Sequence, residues 1–109
     1  MINIPQIAKY LGLKRPFQIE LKSRTNTKMD ASWEGLYNSK GKLSSHLITV
    51  YLGNISDRSL DSLIAHELIH AWQEEKGIIE THGSDFKIKS LQLAHMFELS
   101  AIYIPGRDI

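Results

Sequence analysis

Residues 66–70 read His-Glu-Leu-Ile-His, and a third histidine, His82, stands twelve residues further on in His-Gly-Ser-Asp-Phe. Positions i and i+4 of a helix share one face with Cβ atoms about 5–6 Å apart. The imidazoles of His66 and His70 can therefore converge on one ion at about 2.0–2.1 Å. Glu67 lies beside the first histidine and three residues before the second, where its carboxylate can reach a water held by the same metal. Two ligands do not close a site; a third must come from elsewhere and leave the fourth position to water. His82 is the natural candidate, because Gly77 marks a helix end and lets the chain turn back. These residue types in this pattern point to a zinc hydrolase with one Zn²⁺ per chain, held by His66, His70 and His82.

An inert pair of core histidines is the alternative, and the flanking residues decide against it. From Leu63 to Trp72 the only polar residues are the three of the motif. A helix that is apolar all round is buried, and three ionisable groups inside it are costly without a partner. A metal supplies that partner.

Several elements must position these side chains. Pro5 suits a first helical turn, Ile7, Ala8 and Leu11 fall on one face, and Gly12 stops the helix. Phe17, Ile19 and Leu21 alternate with Gln18, Glu20 and Lys22, the mark of a half-buried strand. Thr25 to Asp30 is a polar break. Ser32 to Tyr37 reads as extended, residues 38–42 as a turn, and Leu47 to Leu52 as the strongest strand. Asn54 to Asp57 ends that strand, and Ser56, Asp57 or Ser59 can cap the motif helix, which runs to about Lys76. Ser84 or Asp85 can cap a second helix from Phe86 to about Leu99, with Phe86, Leu93, Ala94 and Phe97 as its apolar stripe. Ala101 to Ile104 reads as a short terminal strand stopped by Pro105-Gly106. The order α-β-β-β-α-α-β gives one α+β domain over residues 1–109, with a small, mainly antiparallel sheet packed against the motif helix and a second C-terminal helix.

The run from Trp33-Glu-Gly-Leu-Tyr37 through the strand 47–52, the His-Glu-Leu-Ile-His-Ala-Trp segment and His82-Gly-Ser-Asp-Phe86 resembles the SprT-like metallopeptidase domain, that of bacterial SprT and eukaryotic Spartan. The resemblance spans roughly residues 10–100. It implies a zincin-like fold, carries His66, His70 and His82 over as zinc ligands and Glu67 as general base, and implies peptide-bond hydrolysis. In characterised relatives that hydrolysis is directed at DNA-bound proteins, the chemistry of DNA–protein crosslink repair. Many relatives add a cysteine zinc ribbon or other DNA-binding elements after the protease domain. This chain has no cysteine, so the resemblance is to a minimal form, of a kind that would suit a phage or mobile-element gene.

A three-histidine Zn²⁺ lowers the pKa of its water and polarises the substrate carbonyl. Glu67 would take the proton of that water, the nucleophile, and pass it to the leaving amine. Gly83 either allows a close backbone approach or is a plain loop glycine. Phe86 should pack against the motif helix and fix the His82 loop. Glu74, one turn past His70, and Asp85, near His82, are candidates to orient ligand imidazoles or are solvated carboxylates. Tyr37, Tyr51 and Tyr103 are all candidates to stabilise an oxyanion and otherwise read as core or rim aromatics. His95 reads as structural or surface, and His46 has no partner that the sequence names.

With 42% hydrophobic and 23% charged residues the chain is an ordinary globular one. Disulfides and thiolate zinc sites are excluded, and no run approaches a membrane span. The opening segment, Met1 to Pro16, has no continuous apolar stretch of the signal-peptide kind, so the expected location is the cytoplasm, nucleoid or host cytoplasm included. Residues 1–50 hold eight Lys/Arg against three Asp/Glu, and residues 51–109 five against nine. Lys9, Lys14, Arg15, Lys22, Arg24 and Lys28 make the first half basic, which either supports weak DNA association or is a scatter of surface lysines.

Three functions follow from different classes. The first is a zinc endopeptidase acting on protein substrates, among them DNA-associated proteins. The second is a catalytically weak, zinc-stabilised module that recruits a protein or DNA partner, and the third a nucleic-acid-binding protein with structural zinc. Only the first needs Glu67, and structural zinc sites usually have four protein ligands with a preference for Cys.

Overall fold

A computed structural model describes residues 4–23, 30–54, 59–100 and 102–103. Among them lie three helices, α1 (Ile4–Leu11), α2 (Leu60–Lys76) and α3 (Ser84–Phe97), three strands, β1 (Phe17–Lys22), β2 (Ala31–Tyr37) and β3 (Leu43–Tyr51), and one 3₁₀ turn, Leu52–Asn54. The α+β expectation holds, but the sheet is mixed rather than mainly antiparallel. Its order is β1-β3-β2. The hairpin β2–β3 is antiparallel, with Ala31 opposite Val50, whereas β1 runs parallel to β3, with Phe17 opposite His46 and Lys22 opposite Tyr51. Alternation of side chains marks a strand without fixing its direction, and β3 inserts between the two strands that precede it.

The hairpin turn is set locally. The Asn38 side-chain oxygen accepts from the backbone of Lys40 at 2.9 Å and Lys42 at 3.0 Å, an Asx-type turn, and Gly41 takes φ +76°. Strand β3 begins at Leu43, earlier than Leu47, because Ser45 opposite Leu36 and Leu43 opposite Tyr37 continue the ladder beyond the apolar run, with a register shift that skips Ser44. Trp33, Gly35 and Tyr37 share one face of β2. A side chain at Gly35 would stand 3.0 Å from the Tyr37 hydroxyl and 3.1 Å from the Trp33 indole, so its absence lets both aromatics lean toward α2.

Helix α2 crosses the sheet. Leu63, Ile64, Ala65, Leu68 and Ile69 are buried against Ile48 and Val50 of β3, Ile4, Ile7 and Leu11 of α1, and Phe86 and Leu93 of α3. Full burial of each large side chain contributes about 1.5–3 kcal/mol, and this all-round packing explains why α2 carries almost no polar stripe. Ser59 caps its start, accepting from the Ser62 backbone at 3.1 Å; the other two cap candidates, Ser56 and Asp57, lie outside the described residues. Gly77 ends it at φ +72°, as its position predicts.

Helix α3 starts one residue earlier than a Ser84 cap implies and two earlier than an Asp85 cap. Gly83 occupies the cap position without a side-chain bond, and Ser84 and Asp85 are helical, leaving Asp85 to favour the positive end of the helix dipole. Ile102 and Tyr103 form a bend rather than a strand, and residues 101 and 104–106 lie outside the described ones. So do residues 24–29, which hold Arg24, Lys28 and all of the polar break except Asp30. Of the other basic residues of the first half, Lys22 pairs with Glu20 at 2.6 Å, and Arg15 donates from Nε to the Leu43 carbonyl at 3.0 Å. No helix among the described residues is long and apolar enough to cross a membrane.

Candidate metal centre

The geometry brings His66, His70 and His82 together, with one ring nitrogen from each within 4.8 Å of the others. His66 Nε2 stands 3.2 Å from His70 Nε2 and 3.2 Å from His82 Nε2. Two nitrogens each about 2.05 Å from a tetrahedral zinc are about 3.3 Å apart, so these two separations fit that ion.

The opposite edges of two rings show which form the histidines take. His66 Nδ1 lies 2.6 Å from the carbonyl oxygen of Ile102. A carbonyl only accepts, so Nδ1 carries the proton and Nε2 of the neutral ring presents a lone pair. His70 Nδ1 lies 2.9 Å from Gln73 Oε1. The Gln73 amide is oriented by its nitrogen, which donates to the Glu80 carbonyl at 2.8 Å, so His70 likewise donates from Nδ1 and turns a lone pair inward. Two lone pairs facing each other at 3.2 Å repel unless a cation stands between them. The donor set therefore fits a divalent ion that accepts imidazole nitrogen.

His82 differs, since its Nδ1 is buried without a hydrogen-bond partner among the described residues. Its ring is held by packing, with centroids 4.9 Å from Phe86 and 5.7 Å from Tyr103. Phe86 is fully buried and lies 4.7 Å from the His66 ring and 4.8 Å from that of His70. One apolar ring thus underlies all three imidazoles, and its role is structural, as its place in the sequence suggests.

Glu67 is buried, with Oε2 4.0 Å from His66 Nε2. Together with His70 and Trp33 it lines a cavity of about 570 Å³, bordered further out by Glu74, Ile78 and Ile79. A carboxylate, a metal-competent nitrogen cluster and an open cleft therefore meet at one place.

The remaining candidates separate. The Nδ1 of His70 is taken by Gln73, while Glu74 accepts from the Tyr37 hydroxyl at 2.7 Å, a bond that, with burial and the negative charge of Glu74, raises the Tyr37 pKa. Asp85 is exposed. Tyr103 lies against the third histidine, whereas Tyr51 is buried at the end of β3. Gly83 is approached closely, but by the side chain of Glu80, whose Cβ would lie 2.9 Å from an added methyl. His95 is exposed on α3.

Sequence reasoning missed three participants. Gln73 carried no signal beyond its i+3 spacing from His70. The Ile102 carbonyl is backbone and leaves no mark in the sequence. His46 is fully buried on β3, where its Nδ1 accepts from the Trp33 indole at 2.9 Å and its Nε2 donates to Glu75 at 2.8 Å. A histidine just before the apolar run of a strand was its only trace. No protein-family model, curated protein or solved structure matches the chain.

Proposed function

We propose that the chain is a zinc-dependent endopeptidase of the SprT-like kind, with a zincin-like arrangement of α2 against the sheet. The observation that carries this reading is the meeting of three Nε2 atoms, two of them stripped of protons by their outer hydrogen bonds, with the buried Glu67 carboxylate at the wall of an open cleft. His66, His70 and His82 would hold the zinc, which when bound supplies Lewis acidity that polarises a carbonyl and acidifies water.

The chain's own residues do the rest. Glu67 accepts a proton from the attacking water at a carboxylate oxygen and returns it to the departing amine. Its burial at the cleft wall holds that oxygen beside the reacting groups. Trp33 forms one side of the cleft and the 78–81 segment the other, so an extended peptide lies between a fixed indole and a loop tied to α2. Protein substrates suit a cleft of this openness. DNA-associated proteins are the substrates that the SprT resemblance favours, and any direct DNA contact through the basic first half is weak and salt-sensitive.

The test is Glu67→Gln. Glutamine keeps the shape and cannot take the proton. Zinc content and melting should stay near wild type, while cleavage of protein substrates, with and without DNA, falls by about 10²–10⁴-fold. Equal behaviour of the two proteins on every substrate, self-cleavage included, would transfer the site to a zinc-stabilised binding module.

A further inference from the structure

We infer that Gln73 is a positioning residue that serves two of the three metal ligands at once, coupling the tautomer of His70 to the placement of His82. The inference rests on the three-histidine centre proposed above. Gln73 is 3% exposed and sits one turn after His70 on α2. Its Oε1 accepts from His70 Nδ1 at 2.9 Å, and its Nε2 donates to the Glu80 carbonyl at 2.8 Å. Glu80 lies two residues before His82, in the segment that leaves α2 and returns to the cluster.

The asymmetry of the ligands gives this bond its weight. His66 is oriented by the Ile102 carbonyl and His70 by Gln73, but the outer nitrogen of His82 has no such partner among the described residues. His82 depends on ring packing and on where its backbone is held. The bond from Gln73 to Glu80 fixes that backbone to the helix carrying the other two ligands. The backbone carbonyl of Gln73 also accepts from the Ile78 N–H at the helix end at 2.9 Å, so the chain reversal and the metal cluster share one residue. An amide is required because one atom must accept and the other donate. Glutamate has no donor for Glu80, and leucine has neither function.

The experiment measures zinc affinity of the full chain by competition with a chromophoric chelator for wild type, Gln73→Leu and Gln73→Glu, at a temperature well below all melting midpoints. Amide hydrogen exchange of residues 79–82 is followed in the zinc-free proteins. Gln73→Leu should bind zinc about 10–100-fold more weakly, the usual effect of removing a group that orients a ligand, and should exchange faster across 79–82. Gln73→Glu should keep the His70 Nδ1 proton protected but show the same faster exchange at 79–82. A merely structural glutamine would lower the melting midpoint and leave the affinity of the folded protein unchanged. Affinity of Gln73→Leu within twofold of wild type overturns the inference, as does unchanged exchange at 79–82 in both variants. If Gln73→Leu does not fold, the exchange pattern of Gln73→Glu decides on its own. Wild type that binds no zinc would instead remove the metal-centre reading, an outcome distinct from either of these.

Discussion

His46 and Glu75 face each other across the interface between β3 and α2 at 2.8 Å, and the other nitrogen of the same imidazole accepts from Trp33. An indole only donates, so the neutral ring keeps its proton on Nε2 and gives it to Glu75. Glu75 also accepts from the backbone of Lys14 at 2.8 Å and Arg15 at 3.0 Å. One carboxylate therefore ties the α1–β1 connection, the central strand and the motif helix together. Through His46 it also fixes the tryptophan that walls the cleft.

Burial alone would push the Glu75 carboxyl up, but the bonds from His46 and from the two backbone amides outweigh it and hold its pKa below the ordinary glutamate value. A depressed folded pKa stabilises the fold fully above the unfolded pKa of about 4.3, and that stability is lost as the pH falls through the lower folded value. Glu75→Gln should thus cost about 1–3 kcal/mol at pH 7, and the gap to wild type should close in acid. Urea melts of chelator-treated protein at pH 7 and below pH 4 measure it. A gap that is constant with pH would show that the charge of Glu75 contributes nothing.

Metal removal should lower the melting midpoint, because a ligand bound only by the folded chain adds its binding free energy to stability. His82→Ala should retain the fold and lose most zinc affinity. Calorimetry with and without chelator, with zinc measured on the same samples, checks both. An unchanged midpoint after verified metal removal contradicts the first expectation, and full zinc affinity in His82→Ala the second.

Phe86→Ala should cost about 3–5 kcal/mol, the range for emptying a fully buried aromatic site. It should also loosen the metal centre more than an equally destabilising change on α1, such as Ile7→Ala. The comparison of zinc affinities at matched stability separates support of the imidazoles from general packing. Equal affinities for the two variants would make Phe86 a core residue only.

Gly77→Ala places a Cβ at φ +72°, where nothing crowds it but the left-handed backbone itself costs about 1–2 kcal/mol. Ser59→Ala, at the other end of α2, should cost about 1 kcal/mol as a lost cap. Only the glycine substitution should also reduce zinc affinity, since it alone disturbs the turn that returns His82 to the cluster. Chelator competition on both variants distinguishes the two ends.

What the sequence disclosed was local. The i, i+4 pair and the Ser59 and Gly77 ends of α2 depend on neighbours along the chain and are where the pattern places them, whereas the alternation of β1 marks the strand but fails at Leu21, which is exposed. The third histidine was reachable because Gly77 announces a reversal. The direction of β1 was not, since period-two alternation is the same for either direction of pairing. Nor were the groups that orient the ligands. A glutamate one turn after His70 suggests a partner for it by charge alone, yet the adjacent Gln73 takes the place, because it can both accept and donate where Glu74 can only accept. His46 looked isolated because its partners, Trp33 and Glu75, come from β2 and the far end of α2.

The carbonyl that orients His66 belongs to Ile102, 36 residues further along the chain. A ribosome builds proteins from the N-terminus, so the His-Glu-Leu-Ile-His helix emerges well before its outer partner exists. During that interval His66 has no carbonyl to choose its tautomer, and His82 has no Tyr103 ring beside it. The centre is therefore finished only when the last described residues have been made and packed. Under the proposed function, zinc binding and cleavage would both wait until Ile102 and Tyr103 have been made and packed.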